Sequence, residues 1–175
     1  YCIVQDKNGG IYEGEKGFAN NSSFGREAYD TERYSELEIE RVSRVAYELA
    51  NDSRRKLILA DKADKLTTSK LWRKIVADVN EDYPFVSVDM QDVTDVLKTI
   101  IKNPTTLDVV LSTSLFGDML AAVAKALSDY TPSISFVGDT PLAMYGFCTS
   151  NLSTISHSSV SSLISFLLKN SFGIE

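Results

Sequence analysis

Few residues of this chain have the type and spacing to do chemistry. Cys2 and Cys148 are its two cysteines, too far apart for the close spacing of a metal-ligating pair. The single histidine, His157, could serve a cofactor or a metal, but it lies among serines near an expected helix start, where an exposed cap-region residue is the ordinary outcome. Asp118 follows Phe116-Gly117. A carboxylate there either caps the helix that follows Gly117 or ligates a hard cation, and such a cation needs several oxygen ligands rather than one. Lys62 follows Asp61 at the end of the apolar run Leu57-Ile58-Leu59-Ala60, where a solvated lysine after a strand is the plain reading.

The elements that must position these residues are legible from periodicity. Ser35 followed by Glu38 is a capping box, and Ile39, Val42, Ala46 and Leu49 then share one helical face. The run Leu57–Ala60 has the form of a buried strand. Leu71, Trp72, Ile75, Val76 and Val79 make a second helix stopped by Tyr83-Pro84, and Val86, Val88 and Met90 alternate as a strand. Val93, Val96, Leu97, Ile100 and Ile101 predict a third helix ending at Asn103-Pro104, with a strand at Leu107–Leu111 and a helix at Leu115–Leu127. Ser133–Val137 reads as a further strand and Val160, Leu163, Ile164, Leu167 and Leu168 as a final helix face, after a Ser-rich loop over 149–159. Alternation of this kind predicts an α/β fold with a mostly parallel or mixed sheet, in a single domain spanning 1–175.

The opening differs. A strand is expected from the first residues, Asn8-Gly9-Gly10 marks a turn, and 12–34 is polar and glycine-rich without helical periodicity. It reads as an extended dimerisation arm, since so few apolar residues cannot offset the entropy of ordering it alone.

With 43% hydrophobic residues the 175-residue chain has enough apolar surface for one real core. A net charge of −6 offers no basic footprint for phosphate backbones, so direct nucleic-acid binding is not expected. No apolar stretch approaches the roughly 20 residues that span a bilayer, and the cysteine pattern fits a reduced, cytoplasmic setting.

Several strings then occur in a telling order: Gly9-Gly10-Ile11-Tyr12, Asp30-Thr31-Glu32-Arg33-Tyr34-Ser35, Ile39-Glu40-Arg41-Val42, Asp61-Lys62-Ala63-Asp64-Lys65-Leu66, Leu71-Trp72-Arg73, Lys102-Asn103-Pro104 and Leu115-Phe116-Gly117-Asp118-Met119-Leu120. In this order they resemble the isocitrate and isopropylmalate dehydrogenases, isopropylmalate dehydrogenase most of all. The resemblance runs from about Gly9 to Leu127. It implies the second, dimerisation domain of that family with a remnant of the first.

The resemblance also implies a chemistry: oxidation of a 2-hydroxy acid by NAD(P), then decarboxylation, with Mg²⁺ or Mn²⁺ polarising the hydroxyl. Tyr12 and Lys62 match the family's acid–base pair, the lysine reaching into a neighbouring subunit. Asp118 matches one metal ligand. The position of the second, one helical turn on, is Ala122, and that of the third, from the partner subunit, is Thr94, with Asp92 and Asp95 nearby but pointing elsewhere. The substrate-binding arginine is Gln5, which replaces a bidentate clamp with a neutral amide. The cofactor loop corresponds to Tyr145-Gly146-Phe147-Cys148 and Ser156-His157-Ser158, where neither signature is intact. The leading expectation is therefore a catalytically inactive homodimer that binds another protein, with Tyr12, Lys62 and Asp118 vestigial and no cofactor bound. The alternatives are a regulatory subunit binding a small anion, or a fragment of an active NAD(P)- and metal-dependent dehydrogenase.

Overall fold

The alternation after residue 35 builds a parallel sheet with helices on both faces. The structure, a computed structural model, describes residues 1–21 and 23–127. The described residues fall within one compact unit, Tyr1–Leu127. The expected strand at 133–137, the cofactor-loop stretches, the Ser-rich loop and the last helix face lie outside the described residues, and the expectation of one domain over 1–175 reaches beyond them too.

In chain order the elements are β1 (Cys2–Gln5), β2 (Lys16–Asn21), β3 (Gly25–Asp30), α1 (Glu36–Asn51), β4 (Lys56–Asp61), α2 (Thr67–Asn80), β5 (Ser87–Asp92), α3 (Val93–Lys102), a short 3-10 turn (Pro104–Thr106), β6 (Val109–Ser112) and α4 (Ser114–Leu127). The main sheet runs β1-β6-β4-β5 and each pairing in it is parallel. β4 and β6 are central, which is why they read as unbroken apolar runs: both of their faces are covered. Leu57, Leu59, Val109 and Leu111 turn to one side and join Ile39, Ala46, Tyr47, Trp72 and Val76 of α1 and α2. Ala60 and Val110 turn to the other and join Val96, Ile100, Leu120 and Ala124 of α3 and α4. Each fully buried valine, leucine or isoleucine among these contributes about 1.5–3 kcal/mol.

The capping box at α1 is complete: the Glu38 amide donates to the Ser35 hydroxyl at 3.3 Å, and the Ser35 amide donates to the Glu38 carboxylate at 2.6 Å. Residues 12–34 take the form of a two-stranded antiparallel hairpin, β2 with β3. All six residues of β3 are exposed, and none of β2 is fully buried. No alternation of apolar and polar residues therefore marks the hairpin in the sequence. Among the described residues no helix is long and apolar enough to cross a membrane.

Candidate functional site

The four parallel strands end along one edge of the sheet, at Gln5, Ser112, Asp61 and Asp92. Their register sets Gln5 opposite Ser112 and Asp61 opposite Asp92. The carboxyl ends of parallel strands are where open α/β sheets present groups to ligands. Here the sequence-predicted residues fall into two clusters.

The first gathers on Asp118. Tyr34 leaves the hairpin and buries its ring in the core. Its hydroxyl accepts from the Ser114 amide at 2.9 Å and lies 3.0 Å from the Ser114 hydroxyl, which in turn meets the Gly9 carbonyl at 3.3 Å. Gly10, at φ +84°, packs so tightly here that a Cβ would overlap the Tyr34 hydroxyl. This knot fixes both the turn leading to Tyr12 and the start of α4. Because α4 begins at Ser114, Asp118 lies one turn inside the helix and does not cap it, which corrects the capping alternative.

The Asp118 Oδ1 atom accepts from the Gln5 amide at 2.9 Å and from the Lys7 ammonium at 2.9 Å. Gly117 makes room for Gln5, whose amide oxygen a Cβ there would overlap. That oxygen is buried with no hydrogen-bond partner among the described residues. Partial burial pushes the Asp118 carboxyl up, but hydrogen bonds from Lys7 and Gln5 outweigh it and hold the group below its ordinary range. Tyr12, about two-fifths exposed at 43%, has its phenol pushed up by desolvation and then by the neighbouring Asp118 charge. Ala122 follows one helical turn after Asp118. Sequence reasoning does not reach Lys7, which lies 111 residues from Asp118.

The second cluster surrounds Lys62. Asp61 is buried and accepts from the Arg73 guanidinium at 2.6 and 2.9 Å and from the Ala63 amide at 3.1 Å, while the Lys62 amide donates to the Ser69 hydroxyl at 3.2 Å. The backbone on both sides of Lys62 is thereby fixed. Its ammonium does not stand free in solvent after the strand: it donates to Asp92 and lies 3.7 Å from Asp64. Asp92 also caps α3, accepting from the Thr94 amide at 2.8 Å and the Thr94 hydroxyl at 2.7 Å. Asp95 pairs with Lys98 at 2.7 Å.

Lys62 above all, then the Thr94 hydroxyl and amide, hold the Asp92 carboxyl well below its ordinary range. A depressed folded pKa contributes stability that is complete above the unfolded value and is lost as pH falls through the folded one. In denaturation measured across pH, the stability gap between wild type and Asp92→Asn should therefore be full at neutral pH and close progressively below about pH 4. A gap that widens in acid would contradict this assignment.

Would these residues hold a hard divalent cation? Such an ion takes several oxygen ligands. Asp118 offers one carboxylate, Ala122 offers a methyl, and the Thr94 hydroxyl is committed to Asp92. Among the described residues no three His, Cys, Asp or Glu side chains converge. The donor set does not fit the ion.

A separate cleft between the 8–15 segment and the start of α1 is lined by Asn8, Gly10, Glu13, Glu15, Arg33 and Glu38, among others, and takes in neither Asp118 nor Lys62.

The family profile described as isocitrate/isopropylmalate dehydrogenase matches residues 1–139. A 3-isopropylmalate dehydrogenase of Staphylococcus epidermidis is 42% identical over 146 residues, which are 82% of this chain and 41% of that protein. Another, from Novosphingobium aromaticivorans, is 40% identical over 123 residues, 70% of this chain and 35% of that protein. Among solved structures, isocitrate dehydrogenase from Methylococcus capsulatus superposes with a TM-score of 0.66 at 28% identity, covering 71% of this chain and 38% of that one. The chain thus spans about two-fifths of the length of the relatives it matches.

Proposed function

The chain belongs to the isocitrate/isopropylmalate dehydrogenase family, and from that premise we propose that it is a catalytically inactive relative whose fold serves as a dimeric protein-binding module. The observation that carries this reading is the donor set around Asp118. Of the three positions matched to metal aspartates, one is a methyl at Ala122 and one is the Thr94 hydroxyl, which donates to Asp92. Without the ion, Tyr12 and Lys62 have no polarised hydroxyl to act on, and Gln5 supplies no cation for a substrate carboxylate.

Support for protein binding comes from the hairpin, where Phe18 is 86% and Phe24 83% exposed. Large apolar side chains left exposed on a two-stranded element with little core of its own are available to a partner surface. A second copy of this chain and a further protein are its proposed occupants, in a reduced cytoplasmic setting. The cleft beside α1, lined by Glu13, Glu15 and Glu38 with Arg33, is not suited to an anion, and the small-anion alternative concerns the former substrate cleft instead.

The test is NAD(P)H absorbance over time with magnesium or manganese and a panel of isopropylmalate, isocitrate, homoisocitrate and tartrate. No turnover is expected from the folded chain. Turnover with any of them overturns the inactive reading, and a monomer by light scattering at micromolar concentration overturns the dimeric one.

A further inference from the structure

We propose that residues 31–34 act as a strap that caps α2 and α4 from outside, so that the hairpin and both residue clusters at the sheet edge order and loosen together. Its regulatory meaning rests on the reading of the hairpin as the docking element: what binds there is then felt at Lys62 and Asp118.

Of the four α-helices described, two carry their own caps, Ser35 for α1 and Asp92 for α3. α2 does not. Its N-cap position is Leu66, which has no side-chain oxygen, and its first turn holds no acidic residue. There the Thr68 hydroxyl donates to Glu32, whose charge suits the positive end of the helix. α4 does not cap itself either. The Thr113 carbonyl accepts from the Gly117 amide and so marks the N-cap position, yet the Thr113 hydroxyl is buried with no hydrogen-bond partner among the described residues. The Ser114 amide donates instead to the Tyr34 hydroxyl at 2.9 Å. Both external caps thus come from residues two apart, directly after β3 ends at Asp30.

The strap is joined to the base of the hairpin through the backbone. The Thr31 amide donates to the Glu15 carbonyl at 2.8 Å and the Gly10 amide to the Arg33 carbonyl at 2.9 Å. Gly14 lies so close that a Cβ there would overlap the Thr31 carbonyl oxygen. On the other side, α2 supplies Arg73 to Asp61 and Ser69 to the Lys62 amide, and α4 carries Asp118. A hairpin with little core of its own is therefore held by the same two side chains that cap the helices.

Hydrogen exchange by mass spectrometry on the full chain tests this, with Glu32→Ala and Tyr34→Phe. Ser53→Ala, which loses a contact to Asp108 at the opposite edge of the sheet, is the control. Glu32→Ala removes only the cap of α2, and Tyr34→Phe only that of α4. Each should nonetheless speed exchange about fivefold, the size of one lost cap, in all three of 16–30, 67–72 and 114–120. Ser53→Ala should leave all three unchanged. Faster exchange confined to the helix whose cap was removed overturns the proposal, as does an equal rise in Ser53→Ala, which would mark a general loss of stability. Should Tyr34→Phe not fold, the effect of Glu32→Ala at 114–120 decides alone. A monomer by light scattering sinks the dimeric reading and leaves this pattern standing, whereas confined effects sink the strap in monomer and dimer alike.

Discussion

Trp72→Ala should lower the free energy of unfolding by about 4 kcal/mol, the largest loss expected from any single substitution discussed. Trp72 is fully buried in α2 and meets Tyr34 edge-on, with ring centroids 5.2 Å apart at 87°. Truncation removes the largest side chain of the core and leaves a cavity bounded by strands that cannot collapse into it. The indole N–H is buried without an acceptor among the described residues, so Trp72→Phe should cost far less, about 1–2 kcal/mol, because it also removes a desolvated donor. Urea denaturation separates the two, and equal losses would show that packing is not what Trp72 contributes. The effect reaches the site, because Tyr34 is the residue whose hydroxyl holds Ser114 at the start of α4. Loosening its ring loosens the helix that carries Asp118.

Arg73→Met should cost about 3 kcal/mol, for an electrostatic reason. The Asp61 side chain is 1% exposed and Arg73 supplies its paired charge in a two-pronged contact, with the arginine itself 38% exposed. Removing the arginine leaves a carboxylate desolvated and uncompensated. Water reaching the guanidinium side softens the penalty, which places the figure at the lower end for a buried pair. Adding Asp61→Asn to Arg73→Met should recover part of the loss, since the second change removes the stranded charge. Arg73→Lys should fall between, keeping charge but not the fork. A double variant less stable than Arg73→Met alone would contradict this account.

How much of this was legible follows from what each residue's signal depends on. α1 announced itself because Ser35 and Glu38 are three residues apart and cap one another locally. The central strands did so because burial on both faces leaves only apolar residues at Leu57, Ile58, Leu59 and Ala60. The hairpin is legible only as an arm, because exposure on both faces erases periodicity. At the site, the departures at Gln5, Thr94 and Ala122 came from resemblance and not from pattern. The contacts of the retained residues are partly within reach: Lys62 follows the residue that pairs with Asp92 in the β4–β5 register, so correct strand ends bring the two together. Lys7 was beyond reach, since only the β1–β6 pairing carries it to α4.

That pairing has a kinetic consequence. Cys2 aligns with Val109 and Gln5 with Ser112, so the first strand of the sheet is completed by the last strand of the described region. Nearly the whole region must be ordered, or at least looped, before β1 gains its neighbour, and ladders closed across such sequence distance form late and slowly. Among the described strands, β1 is thus expected to join the sheet after β4, β5 and β6 have paired, an order that pulse-labelled hydrogen exchange during refolding would check.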